Sequence, residues 1–243
     1  MPPMLVGRLI ARTWASLLLL AACAAAQDKD AEIWEKPVAS FNVDGIRMDA
    51  VLQLAKQQDL PLGIEYVGAK MFEPVTIHAE AKNLQAVLNM LFPAGSGFQL
   101  SVQKGVLNVS HSDVPRGHFN ILDTVLANFS MGRWPLWLAM DKLRSTIGQQ
   151  LRPRFPYGFG ASVSGPREPE REVGPFSLSQ VTIRQALDRI VQDRRKAVWI
   201  AQSLPENLGS SGDLPCAIFE YDDRGFDELG RRTQNIVLPK VPR

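Results

Sequence analysis

Two stretches of this 243-residue chain carry one apolar spacing, 99 positions apart: IHAEAKNLQAVLNML at Ile77–Leu91 and FSLSQVTIRQALDRI at Phe176–Ile190. In each, apolar residues first alternate at period two, as in a half-buried strand. They then recur at i, i+3, i+4 and i+7, one stripe of a helix. Leu84, Val87, Leu88 and Leu91 answer to Ile183, Ala186, Leu187 and Ile190, and Asn83 answers to Thr182 as the N-cap. A second pair of stripes matches at an offset of 88. Phe41 with Met48, Val51, Leu52 and Ala55 corresponds to Phe129 with Leu136, Ala139, Met140 and Leu143. The surplus of 11 residues between the offsets falls in RPRFPYGFGASVSGPREPEREVGP, a Pro-, Gly- and Arg-rich run with the composition of a surface loop. Internal similarity with its insertion confined to a loop is what duplication of a folded unit predicts.

The pattern therefore predicts an α+β chain of two tandem βαββαββ modules, each a small sheet with two helices on one face. The first module is expected over residues 39–114, a connector over 115–128, and the second over 129–222 with an enlarged loop at 152–175. Within the first, Phe41 and Val43 make a strand broken at Gly45, and Leu62, Ile64 and Tyr66 a second strand. Phe98–Val102 and Leu107–Val109 form a hairpin turning at Lys104-Gly105. In the second, Ala197–Gln202 and Cys216–Tyr221 are the closing strands. Residues 27–38 read as a tether and 223–243 as a tail, its end a loose segment or an added edge strand.

The leader bears on location. Arg8 and Arg12 precede an apolar run from Trp14 to Ala26, the plan of a secretory signal peptide over residues 1–26. The run is too short to span a bilayer as a helix. Ala24-Ala25-Ala26 suits ordinary cleavage, whereas Leu20-Ala21-Ala22-Cys23 resembles a lipobox, which would end the leader at residue 22, lipidate Cys23 and anchor the chain at a membrane. Of 27 Lys and Arg, two sit in this leader, leaving 25 against 25 Asp and Glu. A neutral body is a poor match for phosphate backbones, so no nucleic-acid partner is expected. Beyond Cys23, Cys216 is a lone thiol and no internal disulfide can form.

The run FNVDGIRMDAVLQLAKQQDLPLGIEYV, followed by VTIHAEAKNLQAVLNML and FQLSVQKGVLNVSH, resembles the short N-terminal domain shared by secretins and TonB-dependent receptors. The family's first helical pattern falls on Met48, Val51 and Leu52 and its second on Leu84, Leu88 and Leu91. The match covers residues 39–112 and more weakly 126–222. The resemblance implies a periplasmic module, associated with an outer-membrane secretion, transport or signalling assembly, that docks onto other envelope proteins. The family's barrel, secretin core or plug is not expected after residue 222.

Chemistry is sparse. His111, Asp113 and His118 share one segment without metal-ligand spacing and read as solvated loop residues; His78 reads as exposed, on the strand face opposite Ile77. Cys216 at a strand start reads as a structural thiol, not a nucleophile. Arg184, Arg189, Arg194, Arg195 and Lys196 read as the polar side of a helix and its exit. No catalytic residue, cofactor or metal is expected. The surfaces that could bind a partner are aromatic: Trp134 and Trp137 at a helix start, and Phe155, Tyr157 and Phe159 alternating in the enlarged loop, where they could add a strand to a partner's sheet. Two other readings stay open: an envelope glycan or small ligand held by the aromatic loop, and an enzyme using Cys216 or the histidines.

Overall fold

The computed structural model describes residues 30–114, 116, 120–151, 172–194, 197–203, 213–220 and 234–239. In chain order they form β1 (Pro37–Ile46), α1 (Arg47–Gln57), β2 (Leu62–Val67), β3 (Pro74–Asn83), α2 (Leu84–Leu91), β4 (Phe98–Gln103), β5 (Val106–His111), β6 (Val125–Met131), β7 (Trp134–Pro135), α3 (Leu136–Leu151), β8 (Glu172–Val173), β9 (Phe176–Thr182), α4 (Ile183–Arg194), β10 (Ala197–Ser203), β11 (Asp213–Glu220) and β12 (Gln234–Pro239). The chain is α+β, as the periodicities predict. Every residue of the four helical stripes is buried.

The two halves repeat each other in detail. β1 pairs antiparallel with β3, Phe41 opposite Ala79, and β6 with β9, Phe129 opposite Leu178. Each ladder is interrupted at the same place. In the first it passes over Ala39 and Ala81, and in the second over Ala127 and Gln180. Ala81 and Gln180 both take left-handed φ, 49° and 53°, two residues before a helix cap. The Asn83 side-chain oxygen accepts from the Ala86 amide at 2.9 Å, and the Thr182 hydroxyl oxygen from the Gln185 amide at 3.2 Å. The Leu84 amide donates to the Lys36 carbonyl and the Ile183 amide to the Thr124 carbonyl. These pairs fall on the offsets of 88 and 99.

Where the structure departs from expectation is in the sheets. Each half keeps only two-stranded sheets to itself, β1-β3 in the first and β6-β9 with β7-β8 in the second, and the remaining strands are shared. A single six-stranded sheet runs in the order β12-β11-β10-β2-β5-β4, joined across the halves by parallel pairing of β10 with β2, Ile200 opposite Ile64. Its two faces close two different cores. Leu62, Ile64, Leu107, Val109, Val198 and Ile200 face a core completed by α1, α2, β1 and β3. Val106, Ala197, Trp199 and Ala201 face a second core completed by α3, α4, β6 and β9. β2 and β10 are thus buried on both sides, the environment in which parallel pairs are found.

Smaller corrections follow from the same packing. β1 runs straight through Gly45, and residues 30–38 are not a free tether. Ile33 and Trp34 pack on the first core, and the Asp30 carboxylate accepts the amides of Lys104 and Gly105 at 3.0 and 2.8 Å. That dipeptide makes the predicted hairpin turn with both φ positive, 52° and 82°. The connector already holds a 3-10 turn, Ile121–Asp123, and the start of β6. The end of the tail takes the second of its two readings, adding β12 to the sheet edge.

Candidate functional site at the seam

The two carboxylates buried among the described residues, Glu65 and Asp188, lie where the halves meet. β2 turns Gly63 and Glu65 towards the second half, and Glu65 is wholly buried. Three donors meet its carboxylate: Arg184 of α4, Arg116 at 3.2 Å, and the Asn120 amide at 2.5 Å. Arg184 also donates to Asp123 at 2.8 Å. A buried carboxylate is tolerable only when its lone pairs are filled in this way. One turn along α4, Asp188 accepts from the Trp199 indole N–H at 2.7 Å and from the Asn108 side-chain amide at 3.4 Å. Asn108 comes from β5 and Trp199 from β10, so this carboxylate too ties the halves together. Gly63 makes the arrangement possible. A Cβ there would lie 2.4 Å from the Asn108 side-chain oxygen and 2.5 Å from the Trp199 ring.

Asp188 also borders a cleft of about 70 Å³ between the Lys104 turn and α4, walled by Gln185, Arg189 and Gln192. The Gln192 side-chain amide donates to the Lys104 carbonyl across it. That volume has room for a few waters. Burial pushes the Asp188 carboxyl up to about 6, against the opposing pull of Trp199, Arg184, Asn108 and Lys104. The folded state therefore holds this proton more tightly than the unfolded chain. Stability from this group is greatest below about pH 4 and falls as pH rises to about 6. Asp188→Asn keeps an acceptor for Trp199 and removes the charge. It is expected to gain on the order of 2 kcal/mol at pH 7 and to flatten the decline between about pH 4 and 6. Denaturant melts of both proteins across that range check it.

The residues singled out in the sequence are dispersed. Trp134 is half-buried in β7, opposite Val173, and packs on the second core with its indole against Gly132. Trp137 lies in α3, its side chain outside the described residues, as are Phe155, Tyr157, Phe159, Cys23 and His118. Cys216 sits within β11, its side chain also outside them. His78 is exposed beside Asn42, as expected. His111 is not solvated. It ends β5 buried against the Phe98 ring at 4.8 Å, and its Nδ1 accepts the Asp113 amide at 3.2 Å. Arg184 and Arg189 lie on the polar side of α4, but Arg184 is held by Glu65 and Asp123 and Arg189 lies over the Phe176 ring at 5.1 Å; Arg194 is buried, and Arg195 and Lys196 lie outside the described residues.

The one sequence signal for the seam was Gly63, since glycine inside a strand marks a close approach. Among the described residues no three His, Cys, Asp or Glu side chains converge on a metal-sized site, and no helix is long and apolar enough to cross a membrane. No family model, curated protein or solved structure matches the chain.

Proposed function

We propose that this chain is an exported, non-catalytic envelope protein: a tandem pair of modules like the short N-terminal domain of secretins and TonB-dependent receptors, fused back to back, that works by docking other envelope proteins. The observation that carries the tandem reading is the repeated ladder. The break at Ala39/Ala81 recurs at Ala127/Gln180, with the same cap and the same inter-strand bond at the same offsets. Chance similarity of amphipathic helices does not supply that, because each feature is a backbone position and not a hydrophobic spacing.

A docking role is supported by where the polar chemistry lies. Glu65, Arg184, Asp188 and Trp199 are turned inward to hold the halves together. The leader supports export, either cleaved after Ala26 or acylated at Cys23. Mass spectrometry of the chain from fractionated cells tests location, expecting one of those two N-termini in the envelope fraction; an unprocessed chain in the cytoplasm defeats it. A photo-crosslinking residue at Trp134 or Trp137 tests docking, expecting one envelope protein whose capture Trp137→Ala weakens without lowering the melting temperature. Unchanged capture removes that patch.

A further inference from the structure

The six-stranded sheet ends on β4, and that edge is built unlike a protected one. Among the described residues β4 pairs with β5 alone. Its sequence, FQLSVQ, holds no charge and no proline, the two common devices by which sheet edges refuse another strand. Its core-facing row is also unfinished. Phe98, Leu100 and Val102 pack on the first core but stay partly exposed, whereas Leu62, Ile64, Leu107 and Val109 in the neighbouring strands are buried.

The phase of the ladder decides what the edge presents. The Ser112 amide donates to the Gly97 carbonyl at 2.7 Å, which makes that pair a bonded one, and bonded pairs alternate along an antiparallel ladder. Gln99, Ser101 and Gln103 therefore spend their backbone groups on β5. Phe98, Leu100 and Val102 direct theirs outward. The turn at Lys104-Gly105, clasped by Asp30, holds the strand in place.

We propose that β4 is a self-association edge, and that two copies of this chain pair β4 antiparallel to β4 about a twofold axis at Leu100, continuing the sheet across the dimer. In that register Leu100 faces its own counterpart and Phe98 faces Val102, so every outward backbone group of the strand finds a partner. Side chains match as well: apolar lies opposite apolar on the core side, and Gln99 lies opposite Ser101 on the other. Because FQLSVQ carries no charge, a second copy meets no like charge in this register, the repulsion that keeps charged edge strands from pairing with themselves. The opposite edge fits less well, since β12 ends in Pro239, which has no amide proton to give. A single strand pair is a small interface, so the association is concentration-dependent and not obligate. It does not depend on the envelope role proposed above.

Sedimentation of the purified chain over about a hundredfold range of concentration is expected to show a monomer–dimer equilibrium. Gln99→Lys with Ser101→Lys sets like charges opposite each other across the axis and is expected to weaken the dimer by about tenfold or more, with a melting temperature unchanged at concentrations where the wild type is monomeric. Hydrogen exchange on the unmodified chain gives the second reading: the Phe98, Leu100 and Val102 amides slow as concentration rises, and those of β12 do not. A wild type that stays monomeric throughout, a dimer indifferent to the lysines, or protection that moves to β12 would each overturn the proposal.

Discussion

Arg184→Met is expected to destabilise the protein by about 3 kcal/mol or more, because it strips the most buried cation from a carboxylate that has no water to fall back on. Glu65 is 0% exposed; the Arg184 side chain is 15% exposed and that of Arg116 is 45%. The two guanidiniums touch the same carboxylate oxygen, yet only Arg184 does so away from solvent. Arg116→Met should therefore cost no more than about 1 kcal/mol, the range of exposed pairs. Replacing both ends of the buried pair, Glu65→Leu with Arg184→Met, should recover part of the loss, since the orphaned charge is gone. Equilibrium denaturation of the three variants gives the comparison. Equal costs for Arg184 and Arg116 would mean that Glu65 is reached by water in solution.

Trp199→Ala has an expected cost of similar size, about 3–5 kcal/mol, from the apolar packing it removes and the cavity left behind. Trp199 is among the largest fully buried side chains, and its indole is the closest donor to Asp188. The more telling measurement couples it to Gly63. In the wild type Gly63→Ala pushes a methyl group into the Trp199 ring and the Asn108 oxygen and should cost about 1–3 kcal/mol, as overpacking does. Once Trp199 is alanine, much of that space is empty and the same substitution should be close to neutral. A double-mutant cycle isolates this coupling. Additive costs would show that the two residues do not meet across the β2–β10 pair.

Much of the architecture could be read from residue spacing, and the reason is local. The stripe Met48, Val51, Leu52 and Ala55 is buried because a helix with that spacing has one apolar side, wherever it packs. Asn83 and Thr182 cap helices through bonds to residues three positions on, and Lys104-Gly105 turns a hairpin through its own φ angles. The seam was barely legible, because apart from Gly63, a glycine inside a strand, nothing local distinguishes it. Leu62, Ile64 and Tyr66 alternate in the same way whether Gly63 and Glu65 face water or a second protein layer. Arg184 and Asp188 occupy the polar side of α4, which reads as solvated until the chain brings Glu65, Asn108 and Trp199 against it. The pairing responsible joins β2 to β10 across more than half of the chain, and a strand's sequence does not name so distant a partner. Of the aromatic candidates, Trp134 proved to be a packing residue in part, seated on the second core.

The central claim is that the two halves of the chain share one six-stranded sheet, so that neither core closes without the other. Residue-resolved hydrogen exchange on the native chain measures this most directly. Amides of β2 and β10 should open only with the whole molecule, as slowly as the buried turns of α1 and α4. Rapid exchange along β2 and β10 while both helices stay protected would mean two closed units lying side by side, and would contradict it.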